Sequence, residues 1–335
     1  MFGKFATSEG VVAVRVHQFG VSVLGFVVLY PFVFAQGEVT TVAAASVVVQ
    51  RQVMPSGAVG TVDWTKQTIT FTSYGMPKEG ITHPGQKELT ARKAAWAEAY
   101  NEAAAFLAGL NVTSRTTVAE SRLLDAITDV RVGAFLKGAR VVEEKWDKEK
   151  EVYAITLGFD MAGAVGNSLL GALVPRIEDI EKELKAKQPE KAVEPAPVVV
   201  ETPPATGETA PARKPGPYTG LIIDLRGYGA RPAMSPKIVK PEGDEVWGTL
   251  QTVGRDFAIE HGIVGYLPSL EAALACKERV GDNPLVVRAV GVQGAVQANA
   301  VVSAADAELI LNANQESPNQ FLPNCRVAFV VEREF

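Results

Sequence analysis

The residue types that carry chemistry are sparse in this sequence, and their spacing narrows what they could do. There are three histidines and two cysteines. His17, His83 and His261 stand far apart, and neither HExxH, CxxC nor a histidine cluster occurs. A metal centre therefore has no ligand set with the usual spacing. No GxSxG elbow marks a hydrolase nucleophile, and no GxxxxGK[ST] marks a phosphate loop. Gly227-Tyr228-Gly229 opens like a dinucleotide fingerprint, but the third glycine position is Pro232. A glycine turn between strands is the reading that survives. Arg226, Tyr228 and Arg231 flank that turn. They could hold a small anionic ligand, a glycan or a partner, or the arginines could pair with local carboxylates such as Asp224 or Glu245.

The remaining candidates have blander accounts. Cys276 and Cys325 could pair as a disulfide in an oxidising compartment or remain two buried thiols. Glu98 with Glu102, and Glu143 with Glu144, read as solvated faces. Trp96 and Tyr100 are four apart on a helical pattern, which favours core packing over a ligand box. No catalytic residues, cofactor site or metal site follow from the sequence, so the expectation is a protein that is not an enzyme.

Composition agrees with a folded chain that avoids nucleic acid. Hydrophobic residues make up 47% and charged residues 21% of 335 positions, enough for sizeable cores and for two domains. The formal net charge of −5 supplies no basic footprint for nucleic acid. Lys4 and Arg15 precede an apolar run, Val21 to Ala35, broken by Pro31 and ending in Val33-Phe34-Ala35. That run is short for a membrane span and fits a signal peptide over residues 1–35. Export to the periplasm or the outer membrane is the expectation. The junction carries no cysteine, so the association expected with the membrane is peripheral rather than lipid-anchored.

These residues must be positioned by elements that the patterning lays out. Residues 36–60 form an N-terminal arm. Residues 61–164 form a first α+β module. Within it Val62 and Trp64, a turn at Lys66-Gln67, then Ile69 and Phe71 predict a hairpin. A helix over Lys87–Leu110 carries a stripe of Trp96, Tyr100, Ala103, Leu107 and Leu110, with alanines on its flanks. Asn111–Val118 is rich in β-branched residues and predicts a strand. A second helix over Glu120–Lys137, with Ile127, Val130 and Ala134 inward, ends at Gly138 in a left-handed cap. A hairpin of Ala139–Trp146 and Glu151–Asp160 closes the module, with Tyr153, Ile155, Leu157 and Phe159 on one face.

A connecting helix over 165–188, opening at Pro175, leads to a proline-rich linker over 189–217. In polyproline II form that linker could span on the order of 90 Å. Residues 218–335 form a second α+β domain. Strands are expected at Leu221–Leu225, Ser235–Val239, Glu245–Gly248, Leu285–Gly291 and Arg326–Glu332, and helices at Leu267–Lys277 and from Ser303 towards Asn314. The fold class expected is α+β. Two α+β domains, the first with two helices packed on an antiparallel sheet, are joined by the linker.

Ala91–Tyr100, Lys137-Gly138-Ala139-Arg140-Val141-Val142 and the Val152–Leu157 strand, with Val62-Asp63-Trp64 and Tyr74-Gly75 ahead of them, carry a likeness to a known family. Residues 62–160 resemble the Helicobacter-type small surface lipoprotein family, which also takes in flagellar outer-membrane and assembly proteins of Gram-negative bacteria. Tyr218–Asp224 and Arg231–Pro236 look like the C-terminal domain often attached to it. The resemblance implies no catalytic residues. It implies assembly into envelope structures, flagellum-associated in some members, with envelope proteins or further copies of the chain as partners. The lipobox cysteine of that family is missing here. The expected function is a non-enzymatic secreted envelope protein working through protein–protein contacts. The alternative is a periplasmic binding module for a small anionic ligand or glycan at Arg226, Tyr228 and Arg231.

Overall fold

The computed structural model describes residues 47–113, 126–164, 167–173, 216–248, 253 and 255–335, with backbone alone for 126–131 and 255. The leader, the helix expected at Pro175 and all but the end of the proline-rich stretch lie outside the described residues.

The first domain is an antiparallel sheet carrying two helices. Its strands are β1 (Val49–Val53), β2 (Val59–Asp63), β3 (Thr68–Gly75), β4 (Arg140–Asp147) and β5 (Val152–Asp160), in the order β1-β2-β3-β5-β4. The expected hairpins are present because apolar residues alternate on either side of short polar turns. Val62, Ile69, Phe71, Ile155 and Leu157 are all fully buried on one face. Helices α1 (Pro84–Ala108) and α2 (Ala126–Lys137) cover that face.

Helix α1 begins at Pro84, three residues before the expected start, with Pro84 in the first turn, where its missing N–H costs nothing. Its buried ridge also differs from the expected stripe. Ala91, Ala95, Ala99 and Ala103 form the line that meets the sheet, with Phe106 and Leu107 at its end. Trp96 and Tyr100 lie beside that line, half-buried. Small side chains win the contact because the backbones approach closely: a Cβ on Gly75 would stand 2.2 Å from the Ala91 carbonyl oxygen. Bulkier residues on the ridge would force the helix off the sheet.

Other local expectations shift for similar reasons. On α2, Val132 and Phe135 are buried while Ala134 is exposed. Gly138 ends α2 without positive φ, so no left-handed cap forms; its N–H bonds the carbonyls of Ala134 and Phe135 instead. The start of the expected Asn111–Val118 strand is a docking point: the carbonyls of Asn111 and Val112 accept from the N–H groups of Met234 and Ser235. Residues 114–118 lie outside the description.

The second domain holds β6 (Gly220–Asp224), β7 (Ile238–Val239), β8 (Glu245–Trp247), β9 (Gly265–Leu267), β10 (Pro284–Arg288), β11 (Gly291–Gln293), β12 (Asn299–Val301) and β13 (Val327–Val330). Its helices are α3 (Arg255–His261), α4 (Leu270–Ala275), α5 (Lys277–Val280) and α6 (Ala304–Glu316). Strands β10-β6-β13-β9 make a wholly parallel sheet, and β11-β12-β7-β8 make a mixed one. The parallel strands are buried on both faces, as this sheet type requires. Leu221, Ile223, Val327 and Phe329 face the main core, whereas Ile222, Ala328 and Val330 face a smaller one under α4 and α5. The helix expected over Leu267–Lys277 divides: Leu267 ends β9, the Ser269 hydroxyl caps α4, and Cys276 breaks the helix before α5. Ser303 caps α6 as its sequence position implies, accepting from the Asp306 N–H at 3.0 Å.

The two domains dock. Trp64 meets Tyr266 edge to face at 5.6 Å, and Tyr266 meets Phe329 in the same way at 6.0 Å. The Thr65 hydroxyl donates to the Tyr266 carbonyl at 2.7 Å, and the Gly163 N–H to the Ile259 carbonyl at 2.9 Å. Burial pushes the Tyr266 phenol well above its ordinary range, and its hydroxyl both donates to and accepts from the Ala233 backbone. One continuous hydrophobic core runs from Val48 to Val331, and all described residues fall in one compact unit, Val42–Phe335.

Candidate functional site

Side chains at the carboxyl ends of parallel strands converge, and ligands of open α/β sheets bind there. Strand β6 ends in Asp224, its neighbour β10 in Arg288, and Glu332 follows the end of β13 by two residues. Arg226 donates from Nε and Nη2 to the two Asp224 oxygens, each at 2.9 Å. Arg288 reaches Asp224 Oδ2 at 2.7 Å and lies over the Tyr228 ring at 5.4 Å. Gly227 and Gly229 take positive φ of 86° and 64°, so the turn requires glycine and folds Tyr228 back over the strand ends. The Gly227 N–H donates to Glu332 Oε1 at 2.8 Å.

Of the predicted contact residues, the structure brings Arg226 and Tyr228 together and leaves Arg231 aside. The Arg231 side chain is exposed, and its backbone N–H donates to the Gln297 carbonyl. Asp224, the local carboxylate that the sequence offered as an alternative, holds Arg226. Arg288 and Glu332 were not anticipated; Arg288 sits in the middle of the apolar strand predicted over Leu285–Gly291, the one position there with a charge, and ends the observed β10. Burial raises the Asp224 pKa, but hydrogen bonds from Arg226 and the Arg288 charge outweigh it and hold the carboxyl below the usual range. A carboxylate so held is a weak proton acceptor. The Tyr228 hydroxyl and Glu332 Oε2 are buried with no hydrogen-bond partner.

The other chemical candidates stay apart. Cys276 and Cys325 are free thiols, so the disulfide is not formed. Burial pushes the Cys325 thiol up to about 12, which makes it unreactive. Between these positions lies Arg279, whose guanidinium donates to the carbonyls of Gly262 and Cys325 at 3.0 Å and to that of His261. Burial lowers its pKa, and it acts as a tie between α3, α5 and the approach to β13. His83 is the N-cap residue of α1 but makes no cap bond with its side chain, and His261 stacks on Phe257 at 4.2 Å. Among the described residues no group of three His, Cys, Asp or Glu could hold a metal ion. No described helix is long and apolar enough to cross a membrane.

A second constellation sits on the first domain, where the sequence placed only solvated charge. Glu144 on β4 accepts from Arg92 Nη2 at 3.0 Å, Trp96 Nε1 at 2.7 Å and the Tyr153 hydroxyl at 3.2 Å. Partial desolvation raises its pKa, and the hydrogen bonds from Arg92, Trp96 and Tyr153 overcome this and lower it. Trp96 stacks on Tyr100 at 5.7 Å and Trp146 on Tyr153 at 6.4 Å. These residues flank an edge. Among the described residues strand β4 pairs with β5 alone, and Val141 and Val142 are 47% and 59% exposed. A cavity of about 250 Å³ opens beside it, lined by Phe135, Phe159, Arg140 and Asp160 among others. The opposite edge is met at one point: Val49 of β1 bridges to Glu334, with bonds to the Arg333 carbonyl and from the Phe335 N–H, while Arg51 to Val53 are exposed.

A family model described as Treponema pallidum Tp0624, second domain, matches residues 220–333, from β6 to just past β13. No curated protein matches the chain.

Proposed function

We propose that this is a non-enzymatic secreted envelope protein that works through protein–protein contacts, in assembly of an outer-membrane or flagellum-associated structure. The observation that carries the reading is the open β4 edge. An edge strand with two exposed valines, without a partner on its outer side among the described residues and flanked by Trp96, Tyr100, Trp146 and Arg92, has the residue types that dominate interfaces. Unpaired edges are usually covered, and the C-terminal residues meet the opposite edge at Val49. The leader-like residues 1–35 and the likeness of residues 62–160 to envelope proteins support the location. Fractionation with N-terminal sequencing tests it. A processed protein in the envelope fraction that co-purifies with envelope components is the expected result. An uncleaved cytoplasmic protein sinks the proposal.

A second reading has its own observation. Arg226, Arg288 and Tyr228 stand at the carboxyl ends of parallel strands beside two unsatisfied polar atoms, which suits a binding module for a small anionic ligand. Titration with inorganic phosphate and with glucuronate, followed by thermal shift, tests it. Stabilisation lost in Arg288→Ala supports the module, and no shift with either probe removes it.

A further inference from the structure

We infer that the cavity beside the end of α2 and the end of β5 is a binding site for a small zwitterion, a free α-amino acid with an aromatic side chain. The site lies apart from the strand-end charges of the second domain and does not depend on what the β4 edge contacts.

Each wall of the cavity follows from the residue type at its position. Phe135 of α2 and Phe159 of β5 supply the apolar wall, both buried, with ring centroids 5.5 Å apart and planes at 41°. Gly138, just past α2, and Gly158 of β5 line the cavity without side chains to fill the space beside the rings. Arg140 on β4 opposes Gly158 and reaches diagonally past it to Asp160, two residues on, at 2.8 Å. The crossing requires glycine: a Cβ at position 158 would stand 2.7 Å from Val142 Cγ2 and 3.9 Å from Arg140 Nη2. The Arg140 and Asp160 side chains are 61% and 40% exposed, so they form a rim of one cation and one anion above the buried rings.

That arrangement selects by charge and by size. A lone anion is attracted by Arg140 and opposed by Asp160, and a lone cation meets the reverse. Ammonium and carboxylate on one carbon satisfy both, the carboxylate accepting from the guanidinium and the ammonium donating to Asp160. The volume of about 250 Å³ falls below the roughly 300–1,000 Å³ of sites for drug-sized ligands, which matches a single amino acid. Tilted rings accept a third ring edge to face or offset, so an aromatic side chain gains most. An exposed ion pair orients a ligand more than it holds it. Burial of the ring therefore supplies most of the affinity, and binding in the high micromolar to millimolar range is expected.

Calorimetric titration of the full chain with L-phenylalanine tests this. Glycine, 3-phenylpropionate and phenethylamine serve as probes that lack the ring, the ammonium and the carboxylate. L-phenylalanine should bind, glycine should give no heat, and the other two should bind about three- to tenfold more weakly. Gly138→Leu places a side chain in the cavity at a position without positive φ, where nothing comes closer than 3.4 Å to the new Cβ. It should abolish binding with the melting temperature kept. Arg140→Gln should weaken L-phenylalanine to the level of phenethylamine and leave phenethylamine itself no weaker, a crossover that a merely structural role for Arg140 would not produce. No binding of L-phenylalanine at millimolar concentration, equal binding of either truncated aromatic probe, binding that survives Gly138→Leu, or equal weakening of both ligands in Arg140→Gln would each overturn the site.

Discussion

The two main sheets solve the problem of exposed backbone in opposite ways. The parallel sheet of the second domain is buried on both faces, and the charges at its carboxyl ends are largely spent on one another: Asp224 is held by Arg226 and Arg288. The antiparallel sheet of the first domain buries one face under α1 and α2, is bridged at Val49 on the β1 side, and among the described residues leaves the outer side of β4 open with apolar and aromatic residues near it. Charge that is satisfied internally stabilises a scaffold. Charge and apolar surface left at an edge are available to a partner. Under the proposed contact function, the second domain is the scaffold and the first carries the contact.

Four substitutions can break or sharpen this contrast. Trp64→Ala removes a fully buried ring from the seam between the domains and should cost about 3–5 kcal/mol in denaturant unfolding. One cooperative transition is expected in the variant, and two separate transitions would show that the domains stand independently. Asp224→Asn leaves two guanidinium groups facing each other and should cost about 3 kcal/mol. A cost near zero would mean that the strand-end charges are not structural, reopening the ligand site. Glu144→Gln weakens bonds from three donors on a partly exposed group and should cost about 1 kcal/mol. Val142→Asp should change stability by less than about 0.5 kcal/mol while weakening co-purification with envelope components. A large melting shift there would place the edge with the scaffold instead.

Acid provides an independent check on the same contrast. Asp224 has a folded-state pKa below its unfolded one, so its stabilisation is fully present above the unfolded value of about 3.9. It is lost as pH falls through the folded value. Thermal melts across that window should fall steeply, and Asp224→Asn should flatten the fall. An unchanged profile in the variant would assign the acid sensitivity to another group.

What could be read from the sequence follows the range of the interactions. The hairpins Val59–Gly75 and Arg140–Asp160 were legible because their alternation and turns are local. The caps at Ser269 and Ser303 are also local; that of Ser303 was legible, and that of Ser269 was hidden inside an apolar run. The parallel sheet was not legible, since β6 and β13 are continuous apolar runs that show no face until their partners are known. Glu144 looked like solvent-facing charge because Arg92 and Trp96 lie 52 and 48 residues away. The α1 ridge carried a visible signal, four alanines at intervals of four, and the heavier Trp96 and Tyr100 drew the stripe away from it. Their bulk excluded them from a helix that stands so close to Gly75. In the candidate site, Arg226 and Tyr228 were legible from the turn, but Arg288 is 62 residues away from its contact with Arg226.

The seam between the domains has a kinetic consequence. The Thr65 hydroxyl bonds the Tyr266 carbonyl across 201 positions, and no local contact can substitute for it. Closing such a loop comes late, because its entropy is lost before the contact repays it. The first sheet thus completes its hairpins while the face that will receive Tyr266 is still wet, and Trp64 becomes a reporter of the last step. Its fluorescence should change in the slowest refolding phase, after the helices have formed, and a holdase that favours exposed aromatic surface would act on the chain in that interval.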